Sequence, residues 1–154
     1  MKNILLIGLL LLSTVLFAQR NPFNNLTEKN GKIGIGTETP DELLTVKGKI
    51  HTQEVLVDLD GAVAPDYVFE AYFNGISLLA PDYTFPSLQE IAKYIEVNHH
   101  LPGVPSAEEM EKNGMSLKEM NLLLLQKLEE LTLYTLEQQK EIDELKEKLS
   151  SIRN

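Results

Sequence analysis

The sequence lacks cysteine and tryptophan altogether among its 154 residues. Without cysteine there is no disulfide, so the folded chain depends on packing and on association with other chains. Positive charge is also scarce, because 14 Lys and Arg residues stand against 23 Asp and Glu residues, a formal net charge of −9. An acidic chain is a poor ligand for nucleic acid or for an anionic membrane, and we expect neither as a partner.

Long apolar runs are missing except at the N-terminus. Lys2 supplies a positive start, residues 4–12 an apolar centre, and Phe17-Ala18 a cleavage site. The run is short for a membrane span, so residues 1–18 are predicted to be a secretory signal peptide, with a retained anchor as the alternative. We therefore expect export by the general secretion route, to an extracellular, cell-surface or periplasmic location.

The feature that organises the rest of the chain is a heptad pattern in its last 38 residues. Apolar residues recur at the a and d positions of the heptad, and such a narrow stripe cannot bury itself in one isolated helix. We predict a parallel self-association through this helix, and the mixture of Leu and Ile leaves dimer and trimer open. The predicted oligomerisation residues are Leu117, Asn121, Leu124, Leu128, Leu131, Thr135, Gln138, Ile142, Leu145, Leu149 and Ile152.

The two halves of this helix differ in pattern. Up to Leu136, leucines also occupy positions outside a and d, namely Leu122, Leu123, Leu125, Leu133 and Leu136. A helix that is apolar on most sides is covered on most sides, so we predict that the preceding segments bury this half. From Gln138 onward only a and d stay apolar, which predicts a bare coiled coil. There Glu141 at g and Lys146 at the next e could pair between parallel chains.

The first part of the mature chain is rich in glycine and β-branched residues. In the segment 31–37, Ile33 and Ile35 share one face of a predicted strand, and Gly34 and Gly36 share the other, which predicts close packing on the glycine face. A nucleotide-binding glycine loop is excluded because no helix follows it. Further strands are predicted at 43–50 and 54–59, and in the near-copies 64–69 and 80–85.

The near-copies and the segment between them carry most of the aromatic residues outside the signal peptide. A small core against the helices is predicted from these residues, and a glycan-binding aromatic face is the alternative; the residues are Tyr67, Phe69, Tyr72, Phe73, Tyr83 and Phe85. An adhesin of that kind would have a surface glycan or an envelope protein as its partner.

Three Ser-x-x-Glu sequences predict helix starts with capping boxes at Ser87, Ser106 and Ser116. The adjacent His99 and His100 lack the further ligands of a zinc site, and a histidine that caps the preceding helix is the favoured interpretation. We predict no catalytic, cofactor-binding or metal-binding residue and no small-molecule substrate.

Together these patterns predict an α+β chain in five parts. Residues 1–18 are the signal peptide, 19–30 a flexible lead, 31–85 a β-rich neck, 86–115 a helical hairpin and 116–154 a coiled-coil helix. The expectation of a trimer comes from the resemblance described next.

Several stretches resemble a group of exported Bacteroidetes proteins described as tail-fibre-domain proteins. They are residues 34–40 (GIGTETP), 64–69 (APDYVF), 100–106 (HLPGVPS), 119–121 (EMN) and 127–134 (KLEELTLY). Because of their heptads, such proteins are sometimes labelled leucine-zipper transcription factors. That label is not expected to apply here, because no basic region precedes the heptads. The resemblance implies a fibre-like structural protein.

The helical end is also similar to the last part of the endosialidase-type intramolecular chaperone, which closes trimeric tailspikes and cuts itself off. That resemblance implies a homotrimer and assistance in folding. Self-cleavage does not carry over, because the larger α/β part of that family is missing and Ser106 and Ser116 are explained as caps. We expect a non-enzymatic structural protein, with a glycan-binding adhesin and a self-cleaving chaperone as alternatives.

Overall fold

The computed structural model describes residues 23–152, so the predicted signal peptide lies outside the described residues. Over the described residues the fold is α+β, with a three-stranded sheet followed by four helices. The strands are β1 (Leu26–Lys29), β2 (Lys32–Ile35) and β3 (Leu44–Val46), and the helices are α1 (Tyr67–Asn74), α2 (Leu88–Asn98), α3 (Ala107–Asn113) and α4 (Leu117–Ile152). Two compact units divide after Val55. No helix within residues 23–152 is long and apolar enough to cross a bilayer.

The first unit is built on a tight hairpin. β1 and β2 are antiparallel and are joined at Asn30-Gly31, where both residues have positive φ, 55° and 76°. Asn-Gly is the preferred pair for this kind of turn because both residues tolerate the left-handed region. β3 then adds to β2 in parallel, with Ile33 opposite Leu44 and Ile35 opposite Val46.

The glycine face of β2 is covered by the chain's own turn at 37–42. A Cβ placed on Gly34 would collide with the carbonyl oxygen of Thr37. Thr45, on the same face of the sheet, donates a hydrogen bond to Asp41 Oδ1 at 2.7 Å and accepts one from the Asp41 amide at 3.1 Å. The hydrogen bond from Thr45 lowers the pKa of the Asp41 carboxyl. The predicted close packing on the glycine side is confirmed, and the chain itself supplies the packing.

The predicted β-rich neck of 31–85 is wrong beyond Val46. Residues 54–59 form no strand, residues 80–85 are irregular, and the expected strand at 64–69 is instead the start of α1. Proline fits the beginning of a helix as well as a turn, and Pro65-Asp66 precedes a helix whose Val68 and Ala71 are buried. The predicted flexible lead of 19–30 is also wrong in part, because Leu26–Lys29 is β1.

The second unit has the predicted helix-capping chemistry. At Ser87 and Ser106 both halves of the capping box are present, with the serine hydroxyl accepting from the amide of the glutamate three residues on and the glutamate accepting from the serine amide. At Ser116 the hydroxyl accepts from the Glu119 amide at 3.3 Å. α2 ends where His99 adopts a left-handed conformation, φ 59°.

Candidate self-association site on the long helix

α4 has one face that the rest of its own unit covers, and this is not the a/d face. Its buried residues are Glu129, Glu130, Leu133 and Tyr134. They occupy heptad positions b, c, f and g. The covering segment is residues 65–86, which includes α1.

The centre of the covered face is the carboxylate of Glu130. Its Oε1 accepts hydrogen bonds from the Tyr83 hydroxyl at 3.0 Å and from Gln126 Nε2 at 2.8 Å. Lys127 Nζ lies 2.9 Å from Oε2, in an ion pair whose side chains are 15% and 3% exposed. Burial, and then the charge of Glu130, raises the pKa of Tyr83. This network fixes residue 83 to α4 and satisfies a charge that would be costly to bury alone.

Aromatic rings extend the same contact. The rings of Phe85 and Tyr134 lie 4.8 Å apart, and those of Tyr67 and Tyr83 lie 5.0 Å apart in an edge-on arrangement. The Tyr134 hydroxyl donates to the carbonyl oxygen of Pro86 at 2.5 Å, and burial raises the pKa of Tyr134 to about 12. Tyr67 donates to Gln126 Oε1 at 2.9 Å. Tyr67 and Tyr83 therefore donate their hydroxyls to α4, and Tyr134 donates its hydroxyl from α4 to the covering segment.

Glu129 is a buried charge that the sequence did not reveal. The residue is 7% exposed, and its Oε2 has no hydrogen-bond partner among the described residues. Burial, and then the negative charge of Asp66, raises the pKa of its carboxyl. In the sequence Glu129 and Glu130 have the pattern of a solvated helix face, and only the tyrosines that cover them distinguish them from other glutamates.

The predicted seam of α4 is exposed along its whole length. Every Leu and Ile at an a or d position is at least 46% exposed, from Ile142 at 46% to Ile152 at 79%. The polar members are exposed as well, and two of them bond to the backbone of their own helix. Asn121 Nδ2 donates to the Leu117 carbonyl and Thr135 Oγ1 to the Leu131 carbonyl, each at 2.8 Å.

The seam widens toward the start of α4. Leu125, at position e, is 42% exposed. Met120, at position g, lines a groove of about 440 Å³ with Met110 and Met115, which α3 and the following turn contribute. An apolar strip broader than a/d therefore runs along the first three turns.

Metal-ligating side chains do not cluster within residues 23–152. No group of three or more His, Cys, Asp or Glu side chains in that range could hold a metal ion. His99 ends α2 through its backbone, and the ring of His100 lies edge-on to Tyr94 with centroids 5.5 Å apart.

No protein-family model, curated protein or solved structure matches the chain. Its function is therefore argued from its own geometry.

Proposed function

We propose that the protein is a non-enzymatic, fibre-like structural protein that assembles as a parallel homotrimer through the a/d face of α4. The observation that carries this proposal is which face of α4 is buried within the chain and which is exposed. The chain covers a face that contains two glutamates and leaves an apolar seam open to water. An uncovered apolar stripe along a helix of 36 residues, about 54 Å at 1.5 Å per residue, matches what a coiled-coil partner covers.

The energetic argument concerns the eight Leu and Ile residues of the seam. They are about half exposed, so each gains on the order of 1 kcal/mol when a partner helix covers it. These gains accumulate along the seam, while the loss of translational and rotational freedom is incurred once for each chain that joins. The polar residues Asn121, Thr135 and Gln138 reduce the gain and favour one register.

The proposed parallel orientation of the helices and the number of chains are argued from the heptad positions e and g, which flank the a/d seam. Glu141 at g and Lys146 at the following e oppose each other only when the helices are parallel and in register. Lys146 currently pairs with Asp143 at 3.1 Å on an exposed surface, so exchanging that partner costs little. Leu125 and Met120 broaden the seam at its start, and two neighbouring helices cover a broad strip better than one. The resemblance to trimeric fibre proteins supports the same number.

Export and a place outside the cytoplasm belong to the same proposal and rest on residues 1–18. The glycan-binding alternative has less support, because the hydroxyls of Tyr67, Tyr72 and Tyr83 all donate hydrogen bonds to side chains of α4. Aromatic residues tied down in this way serve as a core.

Two leucines of α4 provide a matched test. Leu131, at position d, is 59% exposed, and Leu136, at position b, is 58% exposed. In the chain of residues 19–154, Leu131→Glu is expected to convert trimers into monomers at micromolar concentration, because it places a charge in the seam. Leu136→Glu is expected to leave the trimer intact. Light scattering gives the mass of each variant.

The wild-type mass decides the proposal first. A monomeric wild-type chain at micromolar concentration overturns it, and a dimer overturns the trimer. If Leu136→Glu dissociates the assembly as fully as Leu131→Glu, the a/d face is not the interface.

A further inference from the structure

The small sheet of the first unit has an apolar face that its own unit leaves uncovered. The register of β1, β2 and β3 places Leu26, Ile33, Ile35, Leu44 and Val46 on one side. The first four are 39%, 41%, 40% and 57% exposed, respectively. Phe23 borders this side, and a shallow hollow of about 330 Å³ lies between Phe23, Leu26 and Ile35.

The opposite side of the sheet is covered by the chain's own turn. The turn at 37–42 fills the space over Gly34 and bonds to Thr45. The two sides therefore differ in the same way as the two faces of α4. One is closed within the chain, and the other is apolar and open.

The one charged residue on the open face is turned away from it. Glu28 is opposite Ile33 in the register, but its Oε1 accepts a hydrogen bond from the Gly31 amide at 2.9 Å, in the hairpin turn. The centre of the face is thus free of charge in a chain whose formal net charge is −9. Two copies of the chain can meet at this face without opposing their acidic groups.

The size of the face indicates what occupies it. Three strands about 4.8 Å apart and about four residues long, at roughly 3.3 Å per residue, give an area on the order of 200 Å². An independent protein partner needs roughly 800 Å² on each side for a stable complex. A face this small holds a partner only when another contact keeps that partner nearby, and chains joined through α4 present their sheets to each other at millimolar effective concentration.

We propose that the Leu26–Ile33–Ile35–Leu44 face of the sheet is a second self-association surface, covered by the same face of the other copies in the assembly. The proposal rests on the proposed function, because α4 supplies the tether. It also explains how so small a sheet persists, since three strands need a covered apolar face for independent stability.

The absence of cysteine makes a direct test possible, because any single introduced thiol is unique in the chain. Ile33→Cys places a thiol on the open face, and Lys29→Cys, on an exposed residue of the opposite face, is the matched control. Mild oxidation of the assembled protein is expected to link two chains at least about tenfold faster through residue 33 than through residue 29. Ile35→Cys is a second variant on the same face, in case Ile33→Cys disturbs folding.

The outcomes separate the two proposals. An assembly of unchanged mass in which residues 29 and 33 cross-link at the same rate, or neither cross-links, overturns the second surface and leaves the α4 assembly standing. A monomeric mass overturns both. Adding Leu131→Glu to Ile33→Cys is expected to make cross-linking slow and dependent on protein concentration; rapid cross-linking that persists in that monomer background contradicts the role of α4 as the tether.

Discussion

The two faces of α4 differ in a way that runs against simple amphipathicity. The face that contacts residues 65–86 holds two glutamates, a lysine and a glutamine beside Leu133 and Tyr134, and tyrosine hydroxyls donate to Gln126 and Glu130. The a/d face holds eight Leu and Ile residues and is exposed. A helix that had evolved only for a monomer would bury its leucines first, because a buried ion pair seldom stabilises more than well-packed apolar groups do.

The difference shows that position on the helix, rather than hydrophobicity alone, decides which contacts are made within the chain. The polar face is specific, since each tyrosine hydroxyl of residues 65–86 has one acceptor on α4, at Gln126, Glu130 or Glu137. The apolar face is repetitive, since three of its five a/d pairs, Leu128/Leu131, Ile142/Leu145 and Leu149/Ile152, are apolar. Specific contacts suit the attachment of one segment at one place, and a repeated seam suits identical helices in register.

The largest expected effect comes from removing the part of α4 in which only the apolar face matters. A chain that stops at Gln138 loses Ile142, Leu145, Leu149 and Ile152 but keeps the network around Glu130. Four seam side chains at on the order of 1 kcal/mol each predict association weaker by 100-fold or more. Sedimentation over a concentration series measures this, and circular dichroism is expected to show that the helices before Gln138 remain.

A length control accompanies that truncation. Ile142→Gln with Leu149→Gln in the full-length chain is expected to weaken association in the same direction while keeping the helix. If the truncated chain loses all of its helical signal, the contacts between residues 65–86 and α4 are not sufficient to keep the second unit folded without the seam after Gln138.

The next effect is on the covered face, at Glu130. Glu130→Ala leaves Lys127, which is 15% exposed, and the Tyr83 hydroxyl without their acceptor. Breaking a pair that is largely buried predicts a loss of about 3 kcal/mol in the free energy of unfolding. Urea unfolding at fixed protein concentration measures the loss, and Glu130→Gln, which keeps an acceptor for Tyr83, is expected to lose less. If Glu130→Ala changes the oligomer mass without changing the free energy of unfolding, Glu130 contributes to the contact between chains and not to the covered face.

The sequence predicted those features that depend on local spacing. The long helix α4, the capping boxes at Ser87 and Ser106 and the close packing at Gly34 all follow from residues within a few positions of each other. The coiled coil stays a prediction. It did not predict the helix at Tyr67–Asn74, because Pro-Asp opens turns and helices alike and the burial of Val68 depends on α4. Nor did it predict the Glu130 network, whose members Tyr83 and Glu130 are 47 residues apart in the chain. Long-range polar contacts of this kind leave no periodic signal.

A smaller effect is expected at the helix caps, which neither face of α4 contains. Ser87→Ala removes the acceptor for the Glu90 amide and predicts a loss of about 1 kcal/mol. The Ser87 amide and hydroxyl lower the pKa of Glu90, so the stabilisation from this carboxylate is present above its ordinary pKa and is lost as pH falls through the lowered value. The difference in thermal stability between wild type and Ser87→Ala is expected to shrink from pH 7 to pH 3, and the part that remains at the acid end is the bond from the Glu90 amide to the Ser87 hydroxyl. Equal differences at all pH values would mean that only the hydroxyl contributes.

The smallest effect is expected at Glu129, a buried carboxyl on the covered face that is incompletely hydrogen-bonded. Its Oε2 lacks a partner among the described residues, and burial beside Asp66 raises the pKa of the carboxyl. The folded chain therefore keeps a proton on Glu129 at pH values where the unfolded chain has lost it, and stability falls as pH rises through the raised pKa. Glu129→Gln removes the charge and is expected to stabilise the protein at pH 7 by less than about 1 kcal/mol, with the gain vanishing below the ordinary pKa of glutamate. Exposed Glu144→Gln is the matched control and is expected to change little at any pH. Destabilisation by Glu129→Gln at pH 7 would show instead that the ionised carboxylate has a partner and belongs to the network around Glu130.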